Sequence, residues 1–552
     1  MQKIIIYQIF TRLFGNRNTT RQENGSIAEN GCGKMNDFDL ETLKRMARMG
    51  VSHVWYTGLL RHATQTDYSR YGIPRNHPAI VKGKAGSPYA ITDYYDIDPD
   101  LATSVERRMQ EFEQLVERTH QAGMKVVIDF VPNHVAREYH SIAKPKGVKD
   151  LGQGDDPQQG FSPQNNFYYC PGERFAPHFD LSRGAEEPYC EEPAKATGND
   201  CFNNAPGVND WYETVKLNYG VDYYAGRVGH FDPMPSTWKK MTDILLFWAG
   251  KQVDAFRCDM AEMVPAAFWQ WAIDKVKYEK PEVKFIGEVY DPSQYRRYIG
   301  AGFDYLYDKV GMYDCLRDVI CHRRETADIT RQWQACDDIL DHMLYFLENH
   351  DEQRLASDFF AADARKGVPG MMVSAWLHSA PVMVYAGQEY GERGMDAEGF
   401  SGCDGRTTIF DYWTVDTLRR GYYNRRGLKK TEKWLHDTYA RILSLANSEE
   451  AFREGACYDL MYVNPAMARR QFAFMRKAGN QLIIVVANFD DEEAHCDIVI
   501  PRHAFDWWQM AEGDYAATDL LSGRETRVTL AADNSTAVDV PAWGGVALKI
   551  CL

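Results

Sequence analysis

The chain has 552 residues, 44% of them hydrophobic, and a net charge of −15. That length exceeds one ordinary domain, and the apolar share supports a large core. The acidic balance disfavours nucleic acid and anionic membranes, which are held by clustered Lys and Arg, and no apolar run reaches the roughly 20 residues that span a bilayer.

Ile4–Phe10 reads as a strand directly after Met1-Gln2-Lys3. No long apolar region or small-residue cleavage site of a secretory signal precedes it, so a cytoplasmic location is expected, with a trimmed secreted chain as the alternative. Leu40–Met49 has helical spacing, and His53–Thr57 is strand-like. Val105–Ala122 is an amphipathic helix stopped by Gly123, followed by a strand at Lys125–Phe130. The alternation resumes with helix Trp238–Ala249, strand Val253–Arg257, helix Pro265–Tyr278 and strand Lys284–Glu288. Later strands fall at Leu344–Leu347 and Val382–Tyr385. Repeated strand–helix units predict an α/β fold with a parallel sheet, and the loosely traceable series of eight predicts a (β/α)8 TIM barrel.

Two regions break this rhythm. Residues 135–229 are rich in Gly, Pro, Asn and Asp and too long for a simple loop, which predicts an irregular domain inserted after strand 3. From about Glu449 short strands follow one another at Gln471–Met475, Gln481–Val486, His495–Ile500 and Val546–Ile550, which predicts a C-terminal antiparallel β domain. The expected division is a catalytic barrel at 1–134 and 230–448, an inserted domain at 135–229 and a C-terminal β-sandwich at 449–552. The twelve Cys have neither metal-binding spacing nor a compact disulfide framework. Free thiols are expected at Cys258, Cys496 and Cys551, while Cys170, Cys190 and Cys201 share one irregular region and leave a disulfide open there.

Functional groups of such a barrel gather at the C-terminal ends of its strands. Four strand ends are dense in polar residues: Asp129-Phe130-Val131-Pro132-Asn133-His134, Asp254-Ala255-Phe256-Arg257-Cys258-Asp259-Met260-Ala261, Phe285-Ile286-Gly287-Glu288-Val289-Tyr290 and Phe346-Leu347-Glu348-Asn349-His350-Asp351. Each alone reads as a cap, a solvated acid or a structural histidine. Together they form a kit. Arg257 and Asp259 are two apart and share a face, so the guanidinium is expected to keep Asp259 ionised, as a nucleophile requires. Glu288 follows an apolar strand end, where desolvation is expected to raise its pKa, as a general acid requires. Two carboxylates in unlike environments are what glycosidic cleavage uses. The 13% aromatic share, with 32 Tyr and 13 Trp, suits a neutral sugar, whose apolar C–H faces stack on rings, although most rings of a large chain simply fill its core.

These four segments resemble the signature regions of the α-amylase family of glycoside hydrolases, in the family's order. Tyr7-Gln8-Ile9-Phe10 resembles its first strand, and Tyr89-Ala90-Ile91-Thr92-Asp93-Tyr94-Tyr95 the segment before its second helix. Lys216-Leu217-Asn218 is similar to a short motif late in its inserted domain, and Pro381–Glu389 to its eighth strand. The resemblance implies a retaining hydrolase with Asp259 as nucleophile, Glu288 as acid/base and Asp351 as the third acid. It also implies substrate contacts from Tyr89, His134, Arg257 and His350, with no metal on these residues. The implied substrate is an α-1,4-glucan or maltooligosaccharide, as Val289-Tyr290 after Glu288 resemble the α-1,4 enzymes. The alternatives are a transglycosylase, a pullulan or cyclodextrin hydrolase or an α-1,6-glucosidase of the same family, and, more distantly, a non-catalytic glucan-binding protein. Oligomeric state is open.

The chemistry requires no cofactor. Many calcium-dependent relatives hold an ion between barrel and insert with the equivalent of Asn133 and a backbone carbonyl near the fourth strand, where they carry Lys-His. Here Glu262 and Met263 stand at those places. A structural calcium is compatible with insert carboxylates such as Asp155, Asp156 and Asp180, but is not favoured at Asn133.

Overall fold

The computed structural model describes residues 2–552. Eight strands form a closed parallel barrel: β1 Ile5–Phe10, β2 His53–Thr57, β3 Lys125–Phe130, β4 Ala255–Cys258, β5 Lys284–Gly287, β6 Tyr305–Tyr307, β7 Met343–Phe346 and β8 Val382–Tyr385. Each strand pairs with its successor, and β1 closes on β8 with Ile5 opposite Val382. The sequence reading passed over β6, whose three residues are too few to show a period.

The two-residue alternation of a strand sorts the side chains. One face of the strands contributes Ile6, Trp55, Val127, Ala255, Ile286, Tyr307, Leu344, Phe346 and Met383 to a single cluster that fills the barrel. Alternate residues, among them Tyr7, Val54, Val126, Phe256, Phe285 and Val384, join the larger core beneath the helices. Two positions further along the inward face, the residues turn polar: Gln8 follows Ile6, Asp129 follows Val127, Arg257 follows Ala255 and Glu288 follows Ile286. The apolar filling is therefore the floor of a polar layer at the strands' C-terminal ends.

Helices alternate with the strands. α1, Leu40–Arg48, begins where the Asp39 carboxylate accepts the Thr42 N–H at 2.7 Å, a cap worth about 1 kcal/mol, and it buries Leu43 and Met46. The helix expected over 105–122 divides into a 3-10 turn, Val105–Arg107, and α2, Arg108–Gln121. The division falls where Glu111 takes the Thr103 and Ser104 N–H groups, each at 2.8 Å, and so turns the incoming chain. α3, Ser236–Gly250, and α4, Ala266–Glu279, flank β4 in the chain.

Between β2 and α2 an antiparallel pair, Leu60–His62 with Ile91–Ile97, was not expected from sequence. Buried Arg61 pins it through Asp93 at 3.0 Å and Asp96 at 3.3 Å. Between β3 and β4 the chain makes three short antiparallel pairs in otherwise irregular structure. The first joins His134–Ala136 to Thr214–Lys216, and so ties the late part of this excursion to the end of β3. After the barrel come a six-stranded sheet, antiparallel in its pairings, and an antiparallel pair, Ala494–Val499 with Ser535–Val540. Buried Arg476 links the sheet to the barrel by donating to Trp376 O at 3.0 Å. All twelve cysteines are unpaired, Cys170, Cys190 and Cys201 included. No helix among the described residues is long and apolar enough to cross a membrane.

Candidate active site

The barrel ladder continues one residue past β4 and β5: Asp259 N donates to Phe130 O at 2.9 Å, and Glu288 N donates to Cys258 O at 3.1 Å. Both carboxylates therefore rise from fixed backbone at the barrel mouth. Arg257, fully buried between them, donates from Nη1 to Asp259 Oδ1 at 2.7 Å, and its Nη2 forms an ion pair with Glu288 Oε2 at 2.7 Å. The guanidinium lies 5.2, 5.5 and 5.7 Å from the Trp55, Tyr89 and Tyr307 ring centres, a partly aromatic cage for a buried cation.

The pairing of Arg257 with Asp259 follows the shared strand face, but its electrostatic consequence differs from expectation. Burial pushes the Asp259 carboxyl well above its ordinary range; Arg257 opposes this, and the charges of Glu288 and Asp351 reinforce it. The guanidinium that counters this rise is shared with Glu288 and, at 3.5 Å, with Asp129.

Glu288, expected to be desolvated after its apolar strand end, is buried but also held by donors. Glu288 Oε2 accepts the Met260 N–H at 2.8 Å, and Oε1 accepts the Tyr290 hydroxyl at 2.6 Å. Met260 has φ +43°, a left-handed conformation that costs a non-glycine residue about 1–3 kcal/mol and here turns its N–H toward the carboxylate. Glu262 takes the N–H groups of Tyr290 and Asp291 at 3.0 and 3.1 Å and so fixes the loop that carries the tyrosine.

From the end of β7 come His350 and Asp351. Gln8 Nε2 donates to His350 Nδ1 at 2.7 Å, which leaves the proton of the neutral ring on Nε2, 2.6 Å from the Tyr89 hydroxyl and 3.1 Å from Asp351 Oδ2. Burial, and then the Arg257 charge, hold His350 well below the usual histidine range. The Tyr89 ring stacks on His350 with centres 5.3 Å apart. Asp351 keeps 40% of its side chain exposed, and its backbone is held by Asn349 Oδ1 and Arg406 Nε. Partial desolvation and the Glu288 charge raise its carboxyl to about 7.

His134 sits at the rim, packed against Trp211 with ring centres 5.2 Å apart and hydrogen-bonded to the Tyr89 backbone; burial and then Lys216 lower it to about 3. Contacts of this kind bring together Asp259, Glu288, Asp351, Arg257, Tyr89, His350 and His134. The sequence reading gives Trp55 no place in the site and names Gln8, Asp129, Glu262 and Tyr290 only within motifs, without a role in it. Asp129 accepts Trp55 Nε1 at 3.1 Å and Gly58 N at 3.3 Å, and burial, opposed by Arg257, lifts it to about 6. Gln8 and Asp129 had a legible signal, since each stands two residues beyond a barrel-filling side chain.

Two family models match the chain. The α-amylase catalytic-domain family model matches residues 8–454, and the α-amylase C-terminal all-β domain model matches 462–551. The chain belongs to the α-amylase family. It is 26% identical over 401 residues to an α-amylase of Haloarcula japonica, covering 71% of this chain and 44% of that protein. It is 22% identical over 412 residues to a cyclomaltodextrinase of Thermoanaerobacter pseudethanolicus, covering 72% and 57%. The chain thus spans about half the length of these relatives. The crystal structure of an α-amylase from Geobacillus thermoleovorans complexed with acarbose shares the fold with TM-score 0.66 at 18% identity, covering 100% of this chain and 98% of that one. In this member of the α-amylase family, Asp259 and Glu288 stand at the ends of neighbouring strands, β4 and β5, with Arg257 between them.

Proposed function

We propose that this protein is a retaining glycoside hydrolase that cleaves α-1,4-glucosidic bonds in starch-derived glucans or maltooligosaccharides through a covalent glycosyl-enzyme. The observation that carries the reading is the single buried guanidinium of Arg257, 2.7 Å from both Asp259 and Glu288. One guanidinium reaches two carboxylates only when they are close, which is compatible with the ~5–5.5 Å carboxyl separation of retaining enzymes.

In this reading Asp259, ionised and steered by Arg257, attacks the anomeric carbon. Glu288 gives its proton to the departing glycosidic oxygen and then takes one from water, which releases the sugar from Asp259. The substrate's glycosidic oxygen displaces the Tyr290 hydroxyl from Glu288 Oε1, while Met260 N–H keeps the other oxygen in place. Asp351 and neutral His350 bind hydroxyls of the reacting sugar, Tyr89 stacks on its apolar face, and His134 bonds it from the rim. The relatives named amylase and cyclomaltodextrinase support an α-glucan as the substrate class.

The test is the anomer formed and the products released. Proton NMR of maltoheptaose cleavage is expected to show the α-anomer first, with short maltooligosaccharides as products. First-formed β-anomer would overturn the retaining mechanism. Turnover of pullulan or cyclodextrin with maltoheptaose untouched would overturn the substrate assignment.

A further inference from the structure

The place where calcium-dependent relatives join barrel to insert is filled here by the chain itself. Lys216 is 2% exposed, and its Nζ lies 2.6 Å from Asn133 Oδ1 and 2.6 Å from Asp200 Oδ1. The Tyr223 ring faces the same ammonium, with its centre 5.3 Å away. Asn133 Nδ2 donates to Gly198 O at 2.8 Å, so that carbonyl is also engaged. Backbone bonds hold the lysine in place: Lys216 pairs with His134 across the short ladder, its N–H reaches Ala196 O at 2.9 Å, and Leu217 N donates to Asn133 O at 2.9 Å.

This arrangement does not fit calcium. That ion takes six to eight oxygens at about 2.3–2.6 Å. At Asn133 it would meet a fixed positive charge within hydrogen-bonding distance of the two oxygens it needs. Three other carboxylates of the insert, Asp155, Asp156 and Asp180, are turned to local tasks. Asp155 accepts the N–H groups of Asn166 and Phe167 and the Tyr169 hydroxyl. Asp156 accepts from Gln158 and Gln159, and Asp180 from Ser182 and Arg183.

We infer that the Lys216 ammonium is a built-in cation that replaces the metal bridge, clamping Asn133 at the end of β3 to Asp200 of the insert. A cation on a covalent stem cannot dissociate, so the joint between barrel and insert does not depend on calcium concentration, whereas a bound ion stabilises only in proportion to its occupancy. Desolvating the ammonium has a cost, met here by a carboxylate, an amide oxygen and an aromatic face. Removing Asp200 would leave the buried ammonium without its counter-charge, and removing Lys216 would leave the half-buried Asp200 carboxylate without its cation, so the two should be energetically coupled.

The experiment is a melting series on the full-length protein. Wild-type protein is expected to give the same apparent Tm after exhaustive EDTA dialysis, and with calcium or magnesium restored. Lys216→Met and Asp200→Asn should each lower Tm, and the double variant should lose less than the sum of the two. A wild-type Tm that falls on EDTA treatment and recovers with calcium but not magnesium would overturn the inference. So would strictly additive losses in the double variant. If Lys216→Met does not fold, the EDTA series on wild type and the fall in Tm of Asp200→Asn decide, and an Asp200→Asn protein as stable as wild type would count against the clamp.

Discussion

Arg257 Nη1 donates to Asp259 Oδ1 at 2.7 Å from two residues earlier on the same strand face. With its other terminal nitrogen 2.7 Å from Glu288, the planar fork addresses two carboxylates at once. A lysine ammonium is a point charge on a flexible stem and cannot hold both in fixed directions. Arg257→Lys is therefore expected to lower kcat by roughly a hundredfold or more with a smaller change in KM, because the interactions lost are those that align the reacting groups. Steady-state kinetics on maltoheptaose, with circular dichroism to verify folding, checks this; a kcat within a few-fold of wild type would show that the bridge does not position the pair.

The two carboxylates have separable duties in the proposed cycle, and the leaving group can distinguish them. Asp259→Asn removes the nucleophile, and Glu288→Gln removes the proton donor; each is expected to lower kcat on maltooligosaccharides by roughly a thousandfold or more. A substrate whose leaving group departs without protonation, such as an α-glucosyl fluoride, should restore the first step for Glu288→Gln and not for Asp259→Asn. Accumulation of a covalent glycosyl-enzyme in Glu288→Gln, seen by intact mass, is the accompanying signature. Rescue of the Asp259 variant in place of the Glu288 variant would reverse the roles.

Much of this site was legible in the sequence because its residues stand at fixed offsets from strands. Arg257 and Asp259 share a face by the two-residue period, and the barrel-filling residues point to the polar layer above them. Electrostatic detail was not legible. The apolar run before Glu288 gives no hint that Met260 turns left-handed to present its N–H, or that Tyr290 folds back onto the carboxylate. Both depend on loop geometry after the strand. β6 escaped because three residues show no period, and the clamp at Asn133 because its partner Lys216 lies 83 residues away.

The pH profile should report the crowding of charge around Asp259. Burial raises this carboxyl, and Glu288, Asp351 and Asp129 add to the rise. The acid limb of kcat/KM, where the nucleophile gains its proton, should therefore lie above the ordinary aspartate value of ~3.9. Burial lifts Asp129 itself to about 6, opposed by Arg257 at 3.5 Å. At pH above about 6, where Asp129 is ionised, Asp129→Asn removes a negative charge that favours protonation of Asp259 and frees Arg257 for the remaining carboxylates. Both effects lower the Asp259 pKa, so the acid limb should move to lower pH. A limb that stays fixed or moves upward in kcat/KM against pH would contradict this linkage.

A buried ion pair lies close in the chain to Asp351. Glu348 and Arg354 are each 1% exposed; Arg354 Nη1 donates to Glu348 Oε2 at 2.9 Å, and Leu355 N donates to Oε1 at 2.8 Å. The guanidinium also lies 3.8 Å from the Tyr385 ring centre and donates from Nε to Thr407 at 2.8 Å. At pH above about 7, where Glu348 is ionised, Glu348→Ala would leave a buried cation without its counter-charge, a loss of about 3–5 kcal/mol. Glu348→Gln keeps two polar atoms in place and should lose less, and Glu348→Leu with Arg354→Met should recover part of the loss, since neither charge is then stranded. Burial, opposed by Arg354, lifts Glu348 to about 7. A carboxyl raised above its unfolded value of ~4.3 binds its proton more tightly in the folded state. The stability it contributes is complete below ~4.3 and is lost as pH rises through about 7. Glu348→Gln should therefore flatten the fall in stability between those pH values. Urea midpoints measured across that window decide it: an unchanged slope in the Gln variant would show that Glu348 does not titrate there.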